Sequence, residues 1–452
     1  MHRFKSGVLN GLASAGLVMQ TGRDVKPSNP DAAQALQLFA PVLQTGRVRL
    51  VPVAFPGCPI HFCTAVVTPH NSDEQRAKNA TGSFAAGGQA NTKVGAAISC
   101  VGEVAERLTL CSLGHDDPRV VAVTKGEYQA ELASILGFSE AQMSDLLRKR
   151  TELGCGSRGS LIDWSKLSNR CIRVSNLLNG SAARLPAFAA LFGEVVLEKG
   201  LTVGVSSTVG CAVWSDLEGA RERAVLELAE RDAVAQAWYN RLGITLVPEP
   251  VLREKISDDL MKYLSRRIRK TTIFRVETDL PVHVAVAISH RGDGFAAAFG
   301  ACAEWDIGSA MFGAITEMLQ GEISLSAMET AYSDPQHAQG SGIPIQLRYA
   351  REKSILDDWP FGETSEKGAC FEDKAFSFDG LLEALREKGI TVWEFDATRP
   401  DLGVPCIKLF SPELCTWQPR FGKDRLFQGV VERGLRTEPE REEVFAGRSF
   451  PF

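Results

Sequence analysis

Three segments of the chain repeat one spacing, and this repeat constrains the fold more than any other feature. In each segment an alanine is followed seven residues later by a glutamate, and three residues after that by a glutamate or glutamine. The segments are Ala96…Glu103-x-x-Glu106, Ala220…Glu227-x-x-Glu230 and Ala310…Glu317-x-x-Gln320. Positions i, i+7 and i+10 lie along one side of an α-helix. The repeat therefore predicts three helices, each with a small residue and two oxygen-bearing side chains on one face.

Five carboxylates would meet if these three helices converge. Such a cluster is unstable in a low-dielectric site unless multivalent cations neutralise it or the pKa values rise. Sites built only from oxygen ligands suit Mg²⁺, and protein-bound Mg²⁺ commonly carries phosphates. The spacing therefore favours a nucleotide site.

A solvated helix face is the alternative interpretation. Glu103 and Arg107, like Glu227 and Arg231, are i,i+4 pairs of the kind found on helix surfaces. Any one copy alone favours that interpretation. Three copies in register favour a site, because a solvated face has no reason to keep an alanine seven residues upstream.

Composition excludes several classes of protein. With 452 residues, 44% of them hydrophobic, the chain can bury a large core in one large domain or in two to three ordinary ones. A net charge of −5 without any basic run argues against a nucleic-acid partner. No stretch of 18 apolar residues occurs, and glycines and a glutamine interrupt the weakly apolar N-terminus. We therefore expect a cytoplasmic protein without a membrane segment.

The eleven cysteines are scattered along the chain, and none forms a CxxC pair. This pattern is neither a disulfide framework nor a zinc site. It is typical of small buried apolar residues in a reducing compartment.

The repeat extends into the segments that precede the helices. Apolar, β-branched runs begin at Pro59 and Pro281, and both predict strands that carry a histidine, His61 and His283, at matching places. Small-residue stretches follow at 83–88 and 294–300, with a predicted hairpin turn at 291–294. The remaining copy is looser, with short strands at 195–197 and 201–206 before Gly210. A unit of strand, strand, small-residue loop and helix, used three times, predicts an α+β protein with mainly antiparallel sheet and helices on one face.

These features predict three regions. Residues 1–51 form an N-terminal extension, residues 52–425 form the main domain, and residues 426–452 form a C-terminal tail. A helical insertion at 124–191 separates the first two units. Near the C-terminus, 391–395 and 404–410 are two further predicted strands.

Four segments in order resemble the YcaO family. AAISCVGEVAER (96–107) is similar to its first helix, SSTVGCAVWSDLEGARERAVLELAERDA (206–233) to its loop and LxExxERDA helix, and SAMFGAITEMLQ (309–320) to its alanine-rich helix. FDATRPDLGVPCIKLFSPEL (395–414) resembles a segment of peptide-modifying members, and the resemblance covers roughly residues 52–425. Gly88-Gln89-Ala90 stands where the family often has Gly-Lys-Gly, and only Phe450-Pro451-Phe452 remains of the family's proline-rich tail.

The resemblance implies a YcaO-like fold whose helices form an ATP and Mg²⁺ site. The residues that it makes metal ligands are Glu103, Glu106, Glu227 and Glu230. The residues that it places at the nucleotide are Ser99, Arg107, Arg231, Glu317 and Gln320.

The implied activity is ATP-dependent cyclodehydration of a ribosomally made precursor peptide, which turns Cys, Ser or Thr into thiazoline or oxazoline rings. The substrate supplies the nucleophile, and the sequence selects no catalytic base. A separate, ubiquitin-activating-enzyme-like partner would bind the leader peptide, and a flavin-dependent azoline dehydrogenase would aromatise the rings. The sequence leaves open whether the protein forms a homodimer.

Two alternatives remain. One is a thioamide-forming enzyme that uses external sulfide together with a partner resembling TfuA. The other is a scaffold or leader-binding subunit that has kept the fold and lost turnover. Retention of all five acids argues against the scaffold, since crowded acids without a metal cost stability.

Overall fold

The computed structural model describes residues 4–21, 24–45, 47–68, 84–123, 132–152, 169–194, 205–333, 343–358, 374–448 and 450–451. The strands in these ranges are β1 (Val18–Thr21), β2 (Asp24–Pro27), β3 (Arg47–Val53), β4 (His61–Thr68), β5 (Phe84–Ala90), β6 (Val120–Ala122), β7 (Arg170–Asn176), β8 (Ala182–Pro186), β9 (Cys211–Val213), β10 (Ile244–Leu246), β11 (Lys270–Val276), β12 (His283–His290), β13 (Ala298–Glu304), β14 (Trp393–Asp396) and β15 (Cys406–Phe410). The α-helices are α1 (Ser6–Ser14), α2 (Pro30–Leu38), α3 (Ala40–Thr45), α4 (Lys93–Thr109), α5 (Leu132–Leu136), α6 (Glu140–Glu152), α7 (Leu217–Asn240), α8 (Glu249–Lys255), α9 (Asp258–Arg266), α10 (Ile307–Ala331), α11 (Ile345–Glu352), α12 (Ile355–Asp358), α13 (Phe378–Glu387), α14 (Asp424–Glu432) and α15 (Glu442–Ala446).

The strands form four sheets, with orders β1-β2, β3-β4-β5, β10-β11-β12-β13 and β6-β7-β14-β15-β9, the last with β8 also paired to β7. All pairings between these named strands are antiparallel. The prediction of an α+β fold with mainly antiparallel sheet is therefore confirmed.

Two hairpins, each followed by a helix, match the predicted repeat. The first unit is β4, β5 and α4, and the third unit is β12, β13 and α10. The turn between β12 and β13 is confirmed, with the Arg291 N–H donating to the Phe295 carbonyl at 3.0 Å. Gly294 has a φ of +85° in this turn, a conformation that glycine adopts without steric cost.

The prediction that the small-residue stretches form loops is wrong for 84–88 and 298–300, which lie in the second strands, β5 and β13. A Cβ at Gly88 would overlap the backbone of Ala96 and Cys100, and a Cβ at Gly300 would overlap that of Ala314 and Met318. The small residues therefore allow each helix to lie directly on the second strand of its hairpin.

The second unit is completed by the C-terminal part of the chain. Its strand β9 pairs with β15, in the register Cys211↔Lys408, and α7 follows. The predicted strand at 195–197 and most of that at 201–206 lie outside the described residues. The strands predicted at 391–395 and 404–410 are confirmed as β14 and β15.

The expectation that helices cover one face of the sheet is wrong for the four-stranded sheet. Every residue of β12 is buried. Ala285 and Ala287 pack in one core cluster with Ala310 of α10, whereas Val284 and Val286 pack in another with residues of α7. Two helices on opposite faces explain why this strand is a continuous apolar run rather than an alternating one.

The segment predicted as a helical insertion also contains strands. It supplies α5 and α6, but β7 and β8 extend the sheet that carries β14 and β15. At the termini, Leu12 packs in one core cluster with residues of α4, and Phe445 and Phe450 are buried in the core around α7. The boundaries proposed at 51 and 425 stay predictions.

No helix in the described ranges is both long and apolar enough to cross a lipid bilayer. The nine cysteines in these ranges are free thiols.

Candidate active site

Each glutamate-bearing helix begins at a capping side chain eleven residues before its first glutamate. The N-caps are Thr92, Asp216 and Asp306, and each side chain accepts a hydrogen bond from the backbone N–H three residues later, at 3.0, 2.8 and 2.8 Å. An N-cap fixes where a helix begins. The same number of turns from cap to glutamate therefore places the three acids equivalently.

A backbone N–H in, or immediately before, the strand that precedes each helix holds the first glutamate of that helix. The pairs are Gly87–Glu103 at 2.6 Å, Gly210–Glu227 at 3.0 Å and Ala301–Glu317 at 2.8 Å. A backbone donor is fixed by its strand, so it orients the carboxylate without a second side chain. The repeated spacing thus corresponds to a repeated contact.

The three helices bring their acids together into what we call the carboxylate cluster, consisting of Glu103, Glu106, Glu227, Glu230 and Glu317. Burial raises the pKa of Glu106 well above its usual range, and the Cys211 thiol and the charges of Glu227 and Glu103 raise it further. Mutual repulsion between acids on different helices is the signature of convergence.

Burial also raises the pKa values on the inner side of the cluster, which consists of Glu230 and Glu317. Glu230 is only 8% exposed, and burial raises its pKa to about 8, with Glu317 and Glu227 adding to the rise and Arg231 opposing it. Burial also raises the pKa of Glu317, again against the effect of Arg231. A second link joins this side to the third unit, since the Ala303 N–H of β13 donates to Glu230 at 3.1 Å.

Two arginines neutralise part of this charge. Arg107 donates to Glu103 from Nε at 2.9 Å and from Nη2 at 2.5 Å. Arg231 donates to Glu227 at 2.9 Å and also pairs with Glu230. Its guanidinium lies 3.6 Å from the ring centre of Trp417, a cation–π contact that holds it over the inner acids.

The carboxylate cluster has the chemistry of a magnesium site but not yet its geometry. Within the described ranges no three His, Cys, Asp or Glu side chains are grouped as they stand so that they could hold a metal ion. The arginine pairs take up carboxylate oxygens that a metal would need. An all-oxygen, crowded and strongly acidic donor set nevertheless suits Mg²⁺, whose charge would relieve the repulsion. The metal-ligand roles of the four predicted glutamates stay predictions.

Gln320 joins the third unit to the first. A Cβ at Gly87 would lie 2.7 Å from the Gln320 amide nitrogen, so the Gln320 side chain reaches the backbone of β5. The Oε1 atom of Gln320 is buried and has no hydrogen-bond partner in the described part of the chain. An orphaned buried acceptor at this position fits a ligand that brings its own donor.

A cavity of about 650 Å³ opens beside the outer acids. Ser99, Glu103 and Glu106 line one end of it, and this volume lies within the usual range for small-molecule sites. The other walls are apolar and polar side chains of α2 and α4, namely Asp31, Gln34, Ala35, Leu38, Phe39 and Ile98. The predicted residues Ser99, Glu103 and Glu106 therefore share one cavity.

Trp214 and Arg223 form the rim of the cavity opposite α2. The guanidinium of Arg223 lies 3.3 Å from the ring centre of Trp214, and the Trp214 side chain is 42% exposed. Desolvation lowers the pKa of Arg223. A stacked, partly exposed aromatic–cation pair is a surface on which a flat heterocycle can bind.

Sequence reasoning missed several residues around the site. Arg223 lies four residues before Glu227, on the same helical face, so spacing could have found it. Trp214 and the α2 residues carry no such signal, because only the fold brings them to the cavity. Lys408, a fully buried lysine whose charge affects Glu106 and Glu227, comes from a distant strand.

A family model described as YcaO cyclodehydratase, ATP- and Mg²⁺-binding, matches residues 87–415. No curated protein matches the chain. The fold of this chain is similar to that of a heterocyclase solved in complex with substrate and cofactor. The two share 20% identity and a TM-score of 0.72, over 93% of this chain and 57% of that one. The chain thus spans little more than half the length of that heterocyclase.

Two shorter structures also share the fold. YcaO from Methanopyrus kandleri, bound with AMPPCP and Mg²⁺, has 15% identity and a TM-score of 0.56, with coverage of 88% of this chain and 94% of that one. The E. coli microcin synthetase complex McbBCD has 13% identity and a TM-score of 0.53, with coverage of 81% and 88%. With the family model spanning most of the chain and the predicted architecture in place, the chain belongs to the YcaO cyclodehydratase family, which binds ATP and Mg²⁺.

Proposed function

We propose that this protein is an ATP-dependent cyclodehydratase that forms thiazoline or oxazoline rings from Cys, Ser or Thr in a ribosomal precursor peptide. One observation carries the proposal. Three helices of a chain in this family bring five carboxylates together, and two of these acids, Glu103 and Glu106, line a cavity of about 650 Å³. That arrangement suits a triphosphate and its magnesium ions at the acids, with the nucleoside in the cavity.

The roles follow the position of each side chain. Glu103, Glu106, Glu227 and Glu230 would hold Mg²⁺, which neutralises phosphate oxygens when bound. Arg107 and Arg231 lie beside these acids and would turn to phosphate oxygens as Mg²⁺ takes over the carboxylates. The remaining nucleotide contacts would be Ser99 in the cavity and Glu317 and Gln320 on the inner side.

The chemistry needs little beyond positioning. The side-chain S–H or O–H of the substrate residue adds to the preceding amide carbonyl, and the resulting oxyanion takes the γ-phosphoryl group of ATP, with ADP leaving. Loss of phosphate and of the amide proton then closes the C=N bond. The peptide loses the elements of one water while ATP becomes ADP and phosphate. Phosphoryl transfer of this kind depends on alignment and charge neutralisation, which fits a site without a conventional nucleophile.

The cavity away from the acids would take the nucleoside. The Trp214 ring and the Arg223 guanidinium offer stacking, while Asp31 and Gln34 offer hydrogen-bond acceptors and donors from α2. A base placed there leaves the phosphates directed at Glu103 and Glu106. The N-terminal helix α2 would thus form part of the nucleotide site.

A partner protein would present the peptide. The similar E. coli structure is a synthetase complex, which supports work in a multi-subunit assembly. We propose a ubiquitin-activating-enzyme-like partner that binds the leader and, for aromatic products, a flavin-dependent azoline dehydrogenase.

Calorimetry and mass spectrometry test the proposal together. AMPPCP should bind the purified protein in the presence of Mg²⁺ and should not bind after EDTA is added. A Cys-, Ser- and Thr-rich precursor peptide, coexpressed with the protein and its partner, should lose the mass of one water per ring.

Each contrary result has a distinct meaning. A folded protein that binds no Mg²⁺–AMPPCP would contradict the nucleotide assignment. A peptide that gains mass by exchange of oxygen for sulfur would replace ring formation by thioamide formation. Nucleotide binding without any peptide modification, even with the partner present, would indicate the scaffold.

A further inference from the structure

Lys408 is a buried lysine whose charge interacts with Glu106 and Glu227 of the carboxylate cluster. It lies on β15 opposite Cys211 of β9, and its side chain is among the most deeply buried of the described residues, at 2% exposure. An uncompensated ammonium group in such a place would cost several kcal/mol, roughly, in desolvation. Its partners therefore indicate what it does.

Those partners are backbone carbonyls of the loop that leads into β9. The Nζ atom donates to the Ser207 carbonyl at 2.6 Å and also to the Val209 carbonyl. The neighbouring residue of β15 adds a third contact, from the Leu409 N–H to the Gly210 carbonyl at 2.7 Å. The loop at 205–210 is thus tied to β15 through three of its carbonyls, those of Ser207, Val209 and Gly210.

This loop in turn holds the carboxylate cluster. Gly210, at a φ of +73°, donates its N–H to Glu227 at 3.0 Å. A Cβ on Gly210 would come within 2.7 Å of the Leu409 carbonyl oxygen and 2.8 Å of Leu228, so the loop fits closely between β15 and α7. The peptide unit between Val209 and Gly210 therefore links Lys408 to Glu227, because its carbonyl accepts from Lys408 and its N–H donates to Glu227.

Lys408 also interacts electrostatically with Glu227 and Glu106. Burial lowers its pKa, while Cys211, Glu227 and Glu106 act in the opposite direction. The charge of Lys408 lowers the pKa of Glu106, against the larger effects of burial, Cys211, Glu227 and Glu103. Arg107 and Arg231 serve other members of the cluster.

We propose that Lys408 is a positioning residue of the nucleotide site: it fixes the loop at 205–210 and, through the Gly210 N–H, holds Glu227 in the arrangement that receives a magnesium-bound triphosphate. This inference rests on the proposed function. It assigns a role at the site to a strand that lies almost two hundred residues after the loop in sequence.

The chain supplies a matched control in Lys423. This lysine is also 2% exposed, and its Nζ donates to three backbone carbonyls, those of Ser134, Ser411 and Pro412. The charges that act on it come from Cys415, Glu413, Asp232 and Arg420, none of which belongs to the carboxylate cluster. Lys423→Met therefore reproduces the loss of a buried lysine tether without touching the site.

The experiment compares wild type, Lys408→Met, Lys408→Gln and Lys423→Met in calorimetric titration of AMPPCP at several Mg²⁺ concentrations, with thermal unfolding alongside. We expect both Met variants to unfold at lower temperature. Only Lys408→Met should weaken Mg²⁺–AMPPCP binding, by roughly 10- to 100-fold, the range for a lost charge-assisted contact. It should also need more Mg²⁺ for half-saturation.

Lys408→Gln separates the tether from the charge and serves if Lys408→Met does not fold. The glutamine amide can still donate to the loop carbonyls, although the side chain is one bond shorter, and we expect a folded protein with weakened binding. Binding within twofold of wild type in a folded Lys408 variant would overturn the proposal, as would equal weakening in Lys423→Met. A wild-type protein that binds no Mg²⁺–AMPPCP would instead overturn the proposed function, and the same titration shows which of the two has failed.

Discussion

The first and third units are built alike yet occupy opposite sides of the site. In both, a helix starts at a capped residue, lies on the small-residue strand of a hairpin, and places its first glutamate against a backbone N–H of that strand. Glu103 of the first unit has a side chain that is 31% exposed, and it lines the cavity. Glu317 of the third unit lies on the inner side, where burial raises its pKa.

The two units also differ in which helix supplies the arginine that neutralises their first glutamate. Glu103 is paired with Arg107 of its own helix, four residues on. The matching position in the third unit is Gly321, and the cation that acts on Glu317 is Arg231 of α7. Local construction therefore sets where an acid points, whereas the element packed against it sets how buried and how charged that acid is. We call the first unit's part of the cluster the open side and the part around Glu230 and Glu317 the closed side.

The largest effect should come from removing one acid from each side. Glu103→Gln on the open side and Glu230→Gln on the closed side should each lower peptide modification roughly 100-fold or more, because each removes a proposed metal ligand while keeping an amide of the same shape. Precursor modification followed by mass spectrometry, with circular dichroism for the fold, measures this. Glu218→Gln, at an exposed position on the same helix as Glu230, should leave turnover unchanged. Full activity in both site variants would contradict the proposal that Glu103 and Glu230 are metal ligands.

A second test asks whether the two units share their packing. Gly88→Ala and Gly300→Ala should each lower the free energy of unfolding by about 3 kcal/mol, since the added Cβ overlaps helix backbone in both units. Gly292→Ala is the control, because a Cβ there meets nothing within 4 Å. Urea unfolding gives the values. A small effect at one glycine alone would show that the two helices do not lie equally close to their strands.

A smaller change should affect only the open side. Trp214→Ala should weaken Mg²⁺–AMPPCP binding roughly tenfold by removing the stacking surface in the cavity. Turnover at saturating ATP should stay near wild type, since the contact is the same in the ground and transition states. Ile268→Ala, at a side chain that is 96% exposed and does not line the cavity, is the control for loss of surface apolar area. An unchanged KM for ATP in Trp214→Ala would place the nucleoside elsewhere.

The smallest expected effect is on the pH dependence of stability, and it comes from Glu304 at the end of the third unit's hairpin. In the third unit His283 pairs with Glu304, whereas in the first unit His61 pairs with Ala90. Burial raises the pKa of Glu304, with Arg223 opposing the rise. The folded protein thus binds this proton more tightly than the unfolded chain, so the stability contributed by Glu304 decreases as the pH rises from its unfolded value of about 4.5 through the raised folded value.

Glu304→Gln removes that dependence. Relative to wild type, the variant should gain a few tenths of a kcal/mol, roughly, at pH 8 and nothing at pH 4. Thermal unfolding across this pH range measures the difference. A gain that is the same at every pH would show that Glu304 does not titrate differently in the two states.

Much of the fold and part of the site could be predicted because the relevant signals are local. The i, i+7, i+10 spacing of Glu317 and Gln320 is a property of one helix, and the strand at β12 is a property of one apolar run. The small-residue stretches were assigned to loops because glycine and alanine have low strand propensity. Helix packing against Gly88 and Gly300 outweighs that propensity, and it cannot be seen from the strand sequence alone.

The residues that sequence reasoning missed share one property: their partners are distant in the chain. Trp214 is at the cavity because β9 joins β15 and α2 folds over α4, and Lys408 reaches the loop at 205–210 from a strand near the C-terminus. Neither residue carries a periodic signal that would distinguish it from an ordinary surface tryptophan or strand lysine.

What the amino-acid order determined by itself was the set of three capped, acid-bearing helices and the antiparallel hairpins before them, because hydrogen bonds and side-chain periodicity within a few turns decide those elements. Only the tertiary structure decided which acids face the cavity and which are buried with raised pKa values. The physical reason is that desolvation and charge–charge interaction depend on every element packed around a side chain, and those neighbours are brought together by burial of apolar surface across the whole chain.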